Sequence, residues 1–206
     1  MKRRDWLKWS LLGGIGLSVN EARNASAATS ERCAGDGSPT QFLPKFAPDP
    51  APQLDDLDKY PKCPYCSMDL RANHRTRMLV HYSNDLPDAT CSIHCTALSL
   101  ANNLFLDPKI IWAGDNASDA EPRPLIDAAK ATFLVGSDLP GIMTWNSKYA
   151  YGSAEAAAAA QKAHGGQLMS FRQALKVTYN DMDDDLERMR KGRAERLKRA
   201  VSKEPK

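Results

Sequence analysis

The sequence predicts an α+β fold made of two related ββαβ-type units, at about residues 60–115 and 123–178. Two observations predict this class. In each half, two short β-prone runs precede a helix-compatible stretch and another β-prone run follows it. The chain of 206 residues is also long enough to bury a core of this size. The repeat is inferred from the order of the elements and not from residue identity.

The first unit is predicted from four successive runs. RMLVHY at 77–82 is β-prone, and ATCSIHC at 89–95 enters a second short strand or a turn. HCTALSLANNLF at 94–105 is compatible with a helix, and KIIWAG at 109–114 is typical of a buried strand. The apolar positions of this helix are Leu98, Leu100, Leu104 and Phe105.

The second unit repeats this order. ATFLVGS at 131–137 and SKYAYG at 147–152 predict strands, and QLMSF at 167–171 predicts a final short one. Between them lies an alanine-rich helix, which Ser153 opens as N-cap and Gly165 closes.

Residues 1–27 have the features of an export signal. Arg3 and Arg4, followed by a short and weakly apolar run, resemble a twin-arginine signal, and Ala25-Ser26-Ala27 fits a small-residue cleavage site. We therefore expect a periplasmic protein. A basic N-terminal anchor helix that stays on the chain is the alternative.

Two further segments flank the predicted units. Residues 28–59 are rich in Pro, Asp, Ala and Ser, and they predict an extended leader that packs loosely or not at all. Residues 179–206 predict a charged, partly frayed helical tail, because acids cluster at the start and bases at the end. The alternative for this tail is a basic arm in weak contact with acidic lipid headgroups or with a partner.

Charge and composition exclude several classes. The formal charge of +3 resides in the signal, since removing residues 1–27 removes five basic and two acidic residues. The mature chain is close to neutral, which gives no support for nucleic-acid binding. No run approaches the roughly 20 apolar residues of a membrane-spanning helix. We find no Ser-His-Asp order, phosphate loop or convincing pair of carboxylates, so we do not expect an enzyme.

Four of the five cysteines form two tight pairs. Cys63 and Cys66 form a C-x2-C knuckle, and Cys91 and Cys95 form a C-x3-C pair at the predicted start of a helix. Two such pairs match the layout of a tetrahedral Zn(II) site. C-x2-C is also a redox spacing, so a thiol-disulfide oxidoreductase using Cys63 and Cys66 is an alternative, although the expected strand-CxxC-helix context is missing. Cys33 stands alone and is interpreted as a bystander.

Met68 adds a soft donor beside the first pair. A thioether is a poor ligand for zinc and a good one for Cu(I), and Cys66-x-Met68 lets a thiolate and a thioether point at one ion. Methionine is also an ordinary core residue, so packing is the alternative. His94 is either a metal ligand or a group that contacts a ligand, and the alternative is a hydrogen-bonded histidine at the surface or at the helix start. Trp112 and Trp145 are interpreted as core residues, with Trp145 close enough to Met143 to shield a metal.

These motifs resemble two known groups. CPYCSMDL, a strand and then TCSIHC are similar to the cysteine motifs of YHS and TRASH metal-binding domains. From about Tyr60 to Leu175 the chain resembles the NosL family, whose members bind Cu(I) and supply it to the periplasmic nitrous oxide reductase of denitrification. The resemblance includes LIDAAKATFLVGSD, the PGIMT turn and the ending YAYGSAEAAAAAQKAHGGQLMSF.

The resemblance implies a ligand set and a role. The family's Cys-x-Met falls on Cys66 and Met68, and the methionine of its second-half turn falls on Met143, which implies a trigonal Cu(I) site. The implied role is a copper chaperone that passes Cu(I) to a docked copper enzyme by ligand exchange. The chain departs from the family at Ser67, where the family has glycine, and at Cys91 and Cys95, which are not general in the family. This second pair is left as a second copper or zinc site, or a disulfide.

Overall fold

The computed structural model of this chain describes residues 46–202. The predicted signal at 1–27, Cys33 and most of the predicted leader lie outside the described residues. These described residues form four helices: α1 (Asp56–Lys59), α2 (Ile93–Asn102), α3 (Ala154–His164) and α4 (Phe171–Val201). Its strands are β1 (Met78–Tyr82), β2 (Pro87–Thr90), β3 (Pro108–Gly114), β4 (Leu125–Asp127), β5 (Thr132–Val135), β6 (Lys148–Tyr151) and β7 (Gln167–Ser170).

The strands form two antiparallel sheets, which confirms the predicted α+β class. The first sheet has the order β2-β1-β3-β4 and the second has the order β6-β5-β7. In each sheet, the first strand of a ββαβ run is central and the next two strands of that run flank it. Leu79 of β1 therefore pairs with β2 and β3, and Phe133 of β5 pairs with β6 and β7. The predicted order of strand, strand, helix and strand is present in both units. Strand β4 was not predicted, and although it lies within the predicted second unit, it pairs with β3 of the first sheet.

A shared hydrophobic core joins the sheets. It contains Met78 and Ala113 from the first sheet, Phe133 and Ala150 from the second, and Ala174 from α4. Asp115 and Ala150 also form an isolated bridge between the strand regions. The ends of α3 are as predicted, because the Ser153 side chain accepts a hydrogen bond from the Ala156 N–H and Gly165 follows the last turn with φ of 68°.

The segment before Tyr60 differs from the predicted leader. Residues 46–59 pack on the domain instead of extending away from it, and Asp56 and Leu57 are buried. The Arg77 guanidinium donates two hydrogen bonds to the Asp56 carboxylate, at 2.8 and 3.2 Å. Because a buried ion pair needs both of its partners, this segment belongs to the folded unit. Composition alone does not show the pairing, which spans 21 residues of sequence.

Three other elements differ from the sequence prediction. Helix α2 ends at Asn102, so Leu104 and Phe105 lie beyond it and are exposed. Strand β3 is exposed at its first two residues and buried only at its last two. Helix α4 begins at Phe171 and runs without a break through the predicted tail boundary at 178/179. A capping box between Ser170 and Gln173 starts this helix.

Within residues 46–202, none of the helices combines the length and apolar composition that a bilayer crossing requires.

Candidate metal centre

The structure brings the two cysteine pairs together. The Sγ atoms of Cys63, Cys66, Cys91 and Cys95 all lie within 4.8 Å of one another. The Cys66 and Cys91 sulfurs are 3.3 Å apart, and the Cys91 and Cys95 sulfurs are 3.7 Å apart. All four are free thiols, so Cys91 and Cys95 do not form a disulfide in this structure. We call these four residues the sulfur cluster.

A tight turn supplies the first pair. The Cys63 N–H donates to the Met68 carbonyl at 2.9 Å, and the Ser67 N–H donates to the Cys63 carbonyl at 2.9 Å. Lys62 and Asp69 then pair as an isolated antiparallel bridge. Ser67 has φ of 63°, in the left-handed region that favours glycine. The glycine expected from the family motif at this position therefore has a conformational reason, and Ser67 adopts the same conformation at some cost.

The junction between β2 and α2 supplies the second pair. Cys91 follows the last residue of β2, and Cys95 lies in the first turn of α2. The Thr76 hydroxyl donates to the Cys91 carbonyl at 2.8 Å, which holds the junction against the strand. The unpaired N–H groups at a helix start carry partial positive charge and favour a nearby thiolate. The predicted place of this pair at a helix start is confirmed.

The sulfurs perturb one another's ionisation. The pKa of Cys63 is lowered because hydrogen bonds stabilise its thiolate, the larger contribution coming from Cys91 and the smaller from Cys95. Hydrogen bonding from Cys95 lowers the pKa of Cys66 to about 7. The pKa values of Cys91 and Cys95 are raised, chiefly because these thiols act as donors to Cys63. Without a cation the cluster thus favours few thiolates, whereas a soft metal ion would supply the charge that deprotonates more of them.

Burial separates Cys66 from the other three cysteines. Cys63, Cys91 and Cys95 are each at most 1% exposed, whereas Cys66 is half-buried. Cys66 opens onto a surface groove of about 710 Å³ that Met68 and Met143 also line. We call this opening the methionine groove. Cys66 is therefore the member of the sulfur cluster that an incoming ion or partner can reach.

Met68 and Met143 reach this groove from different units. Met68 ends the Cys63–Met68 turn, and Met143 lies in the connection between β5 and β6 with φ of 59°. Both methionines also pack against the hydrophobic cluster that contains the buried cysteines. A side chain at Gly141 would meet the Thr144 carbonyl oxygen at 2.1 Å, so the Met143 turn requires glycine there. The structure therefore brings Cys66, Met68 and Met143 to one opening.

Comparison with known proteins shows the family of this chain. The family model described as NosL matches residues 54–177, more than half of the chain. The chain belongs to the NosL family. Among solved structures, the chain is similar to the copper chaperone NosL from Shewanella denitrificans, with 20% sequence identity and a TM-score of 0.45. The match covers 54% of this chain and 87% of that one. No curated protein matches the chain.

Sequence reasoning missed the contribution of α4 to this NosL-family site. Helix α4 continues 24 residues past the end of the family match, from 178 to 201. Residues of this extension line the methionine groove: Asp185, Arg188, Met189, Gly192, Arg193 and Arg196. Their spacing of three and four residues marks one helix face and is readable from the sequence. What that face covers depends on how α4 packs, which the spacing does not show.

His94 lies at the start of α2, which is one of its predicted settings, but its Nδ1 has no hydrogen-bond partner among the described residues. Trp145 is not in its predicted setting. His94 is only 1% exposed and not at the surface, with its Nδ1 3.8 Å from the Asp185 Oδ2. Burial lowers the pKa of His94. Trp145 is 75% exposed and not in the core, and its ring lies 5.6 Å from the Arg188 guanidinium. Trp112, by contrast, packs against the hydrophobic cluster around the buried cysteines.

Proposed function

We propose that this NosL-family protein is a periplasmic Cu(I)-binding accessory protein that delivers copper to a copper enzyme such as nitrous oxide reductase. Cu(I) is its cargo, held by the Cys66 thiolate and the Met68 and Met143 thioethers. The observation that carries the proposal is that the one half-buried thiol of the sulfur cluster lines the same groove as these two methionines. The protein acts by binding and transfer and catalyses no reaction of its own.

The donor set suits this cargo. Thiolate and thioether ligands are soft and select Cu(I), whereas Mg²⁺ and Ca²⁺ need oxygen ligands. The carboxylate that lines the groove, Asp185, already accepts hydrogen bonds from the Trp145 N–H at 2.9 Å and from Arg188 at 2.8 Å. The groove therefore supports binding of a soft ion over a hard one.

The openness of the groove supports transfer by ligand exchange. A closed tetrahedral site holds its metal structurally, whereas a site with an open side admits another ligand. Cu(I) at the groove has protein on one side and solvent on the other, so a docked partner's donors can replace Met68, Met143 and Cys66 one at a time. Export by the twin-arginine route would deliver the chain to the compartment where this exchange takes place.

A structural Zn(II) site is the second candidate. The four Sγ atoms within 4.8 Å favour it, because four thiolates are a common structural zinc set. Cys66 belongs to both sets, so a zinc ion bound by all four cysteines would occupy the thiolate that copper uses. The oxidoreductase alternative has less support, because Cys63 is buried and Cys66 lies in a turn with no helix after it.

Anaerobic Cu(I) titration of the mature chain against a competing chelator tests the proposal. We expect uptake of about one tightly bound Cu(I), and roughly tenfold weaker binding in Met68→Leu. Met169→Leu is the matched control, because Met169 lies in β7 and packs against the shared core. Zinc bound by all four cysteines, with copper affinity unchanged in Met68→Leu, would contradict the copper proposal and favour the zinc site.

A further inference from the structure

Helix α4 presents one continuous face to the methionine groove. Asp185, Arg188, Met189, Gly192, Arg193 and Arg196 recur at helical spacing and all line the groove. Met189 is the one thioether in this stripe, and it is half-buried. The stripe lies beyond residue 177, where the NosL match ends. The chain therefore adds a methionine to the groove from the part of α4 that lies beyond the matched region.

Three contacts with the rest of the domain fix the position of this helix. Tyr179 donates a hydrogen bond to the Ala97 carbonyl of α2 at 3.0 Å. Lys148, whose side chain is 1% exposed, pairs with Asp181 at 3.0 Å. One turn further on, Asp185 is 2% exposed and accepts the Trp145 N–H. Because α4 is held at three positions within two turns, Met189, one turn after Asp185, has a fixed place beside the groove.

The distribution of methionines argues against ordinary packing. Residues 46–202 contain six methionines, and three of them line this one groove. Met78 and Met169 belong to or pack against the shared core, where methionine fills gaps. Met189 instead faces an open groove, where there is no enclosed gap to fill. Leucine has a similar helix propensity and similar size, so neither helix formation nor packing requires a methionine there.

On the α4 face that lines the groove, the Met189 thioether is the soft donor that is free to bind a metal ion. Arg188, Arg193 and Arg196 are cations and cannot bind a metal ion. Asp185 offers only hard carboxylate oxygens, which suit Cu(I) poorly, and its Oδ1 already accepts hydrogen bonds from the Trp145 backbone N–H and from Arg188. A thioether is neutral and needs no deprotonation, so the neighbouring arginines do not prevent it from binding Cu(I). We propose that Met189 is a further thioether ligand of the Cu(I) held in the groove. This inference rests on the proposed function and extends its ligand set to α4.

Methyl NMR of the full mature chain tests this proposal directly. The protein is labelled with ¹³C at the methionine methyl groups, titrated anaerobically with Cu(I), and assigned with single leucine variants. We expect the Met68, Met143 and Met189 methyl signals to shift together. Met182 is the matched control, because it lies two turns before Met189, about 10 Å along the same helix, and does not line the groove.

Affinity measurements give a second readout. Met189→Leu is expected to weaken Cu(I) binding roughly tenfold, whereas Met182→Leu changes it by less than about twofold. If the Met68 and Met143 signals shift and the Met189 signal does not, the Met189 inference is overturned and the proposed function stands. If copper binds and no methionine signal shifts, the copper site proposed at the groove fails together with the inference.

Discussion

The two ββαβ units share a strand order but present different surfaces. The connection between β1 and β2 is short, at residues 83–86, whereas the connection between β5 and β6 covers 136–147 and carries Met143 and Trp145. Helix α2 buries most of its first turns, including Cys95, whereas Ala157 is the one buried residue of α3. The same scaffold thus encloses sulfurs in its first unit and extends an open turn from its second.

This difference separates the residues that would hold a metal ion from those that would let it enter and leave. Buried thiols in the first unit are fixed by the Cys63–Met68 turn and by the start of α2, so they need little rearrangement to accept an ion. The second unit adds the Met143 thioether from a half-buried turn that borders the methionine groove. A site at the seam of the two can bind firmly on one side and exchange ligands on the other.

The largest expected effect tests how the first unit depends on the segment before it. Asp56→Ala should lower the free energy of unfolding by about 3–5 kcal/mol, because it leaves the Arg77 charge buried and unpaired. Urea denaturation measures this change. Lys59→Ala is the control from the same helix, because its pair with Asp49 is partly exposed and should contribute at most about 1 kcal/mol. A small effect for Asp56→Ala would mean that this segment is not integral to the fold.

Cys66→Ser should have the next largest effect, since it removes the residue shared by the sulfur cluster and the groove. We expect Cu(I) affinity to fall by more than about 100-fold, because even residues that only support a metal ligand cost 10–100-fold when replaced. Chelator competition measures the loss. Cys33→Ser should leave the affinity unchanged, and equal losses in the two variants would remove Cys66 from its assigned role.

The sequence predicted the scaffold better than the site. Local signals sufficed for the strands other than β4 and for α3, whose Ser153 cap and closing Gly165 are short-range features. The cysteine spacing also predicted that two pairs would meet. Long-range packing determined the rest. Asp56 in α1 pairs with Arg77, which lies just before β1, and the position of Met189 at the groove depends on how α4 packs. A helix stripe shows which residues face together but not what they face.

The edge strands of the two sheets differ in the partners of their buried ionisable residues, and this difference predicts a pH dependence of stability. In β6 the buried Lys148 has Asp181 as counterion, whereas in β2 the buried Asp88 has only hydroxyl donors, Tyr65 at 2.6 Å and Ser99 at 2.5 Å. Burial raises the pKa of Asp88 to about 6 from its ordinary 3.8. The folded state therefore binds more protons than the unfolded state between these two pKa values.

Asp88 should consequently make stability fall as pH rises from about 4 to 6, by up to about 3 kcal/mol. Asp88→Asn should flatten this part of the curve, because the amide does not ionise and still accepts a hydrogen bond. Urea denaturation at a series of pH values measures both proteins. An unchanged slope in Asp88→Asn would show that this carboxyl group is not the source of the dependence.

The smallest expected effect concerns the turn of the first unit. Ser67→Gly should raise the free energy of unfolding by up to about 1 kcal/mol, because glycine adopts a φ of 63° without a side-chain penalty. Cu(I) affinity should stay the same, since Ser67 is not among the proposed ligands. Thermal unfolding measures the first quantity. Destabilisation by glycine would indicate that the serine side chain supports the turn.

A double-mutant cycle on Cu(I) affinity tests most directly whether both units bind one ion. The cycle compares Cys66→Ser, Met143→Leu and the double variant in one chelator competition series. If both residues bind the same Cu(I), their effects are coupled, and the double variant loses little more than Cys66→Ser alone. Fully additive losses, or no loss in Met143→Leu, would contradict a single copper site built from the two units.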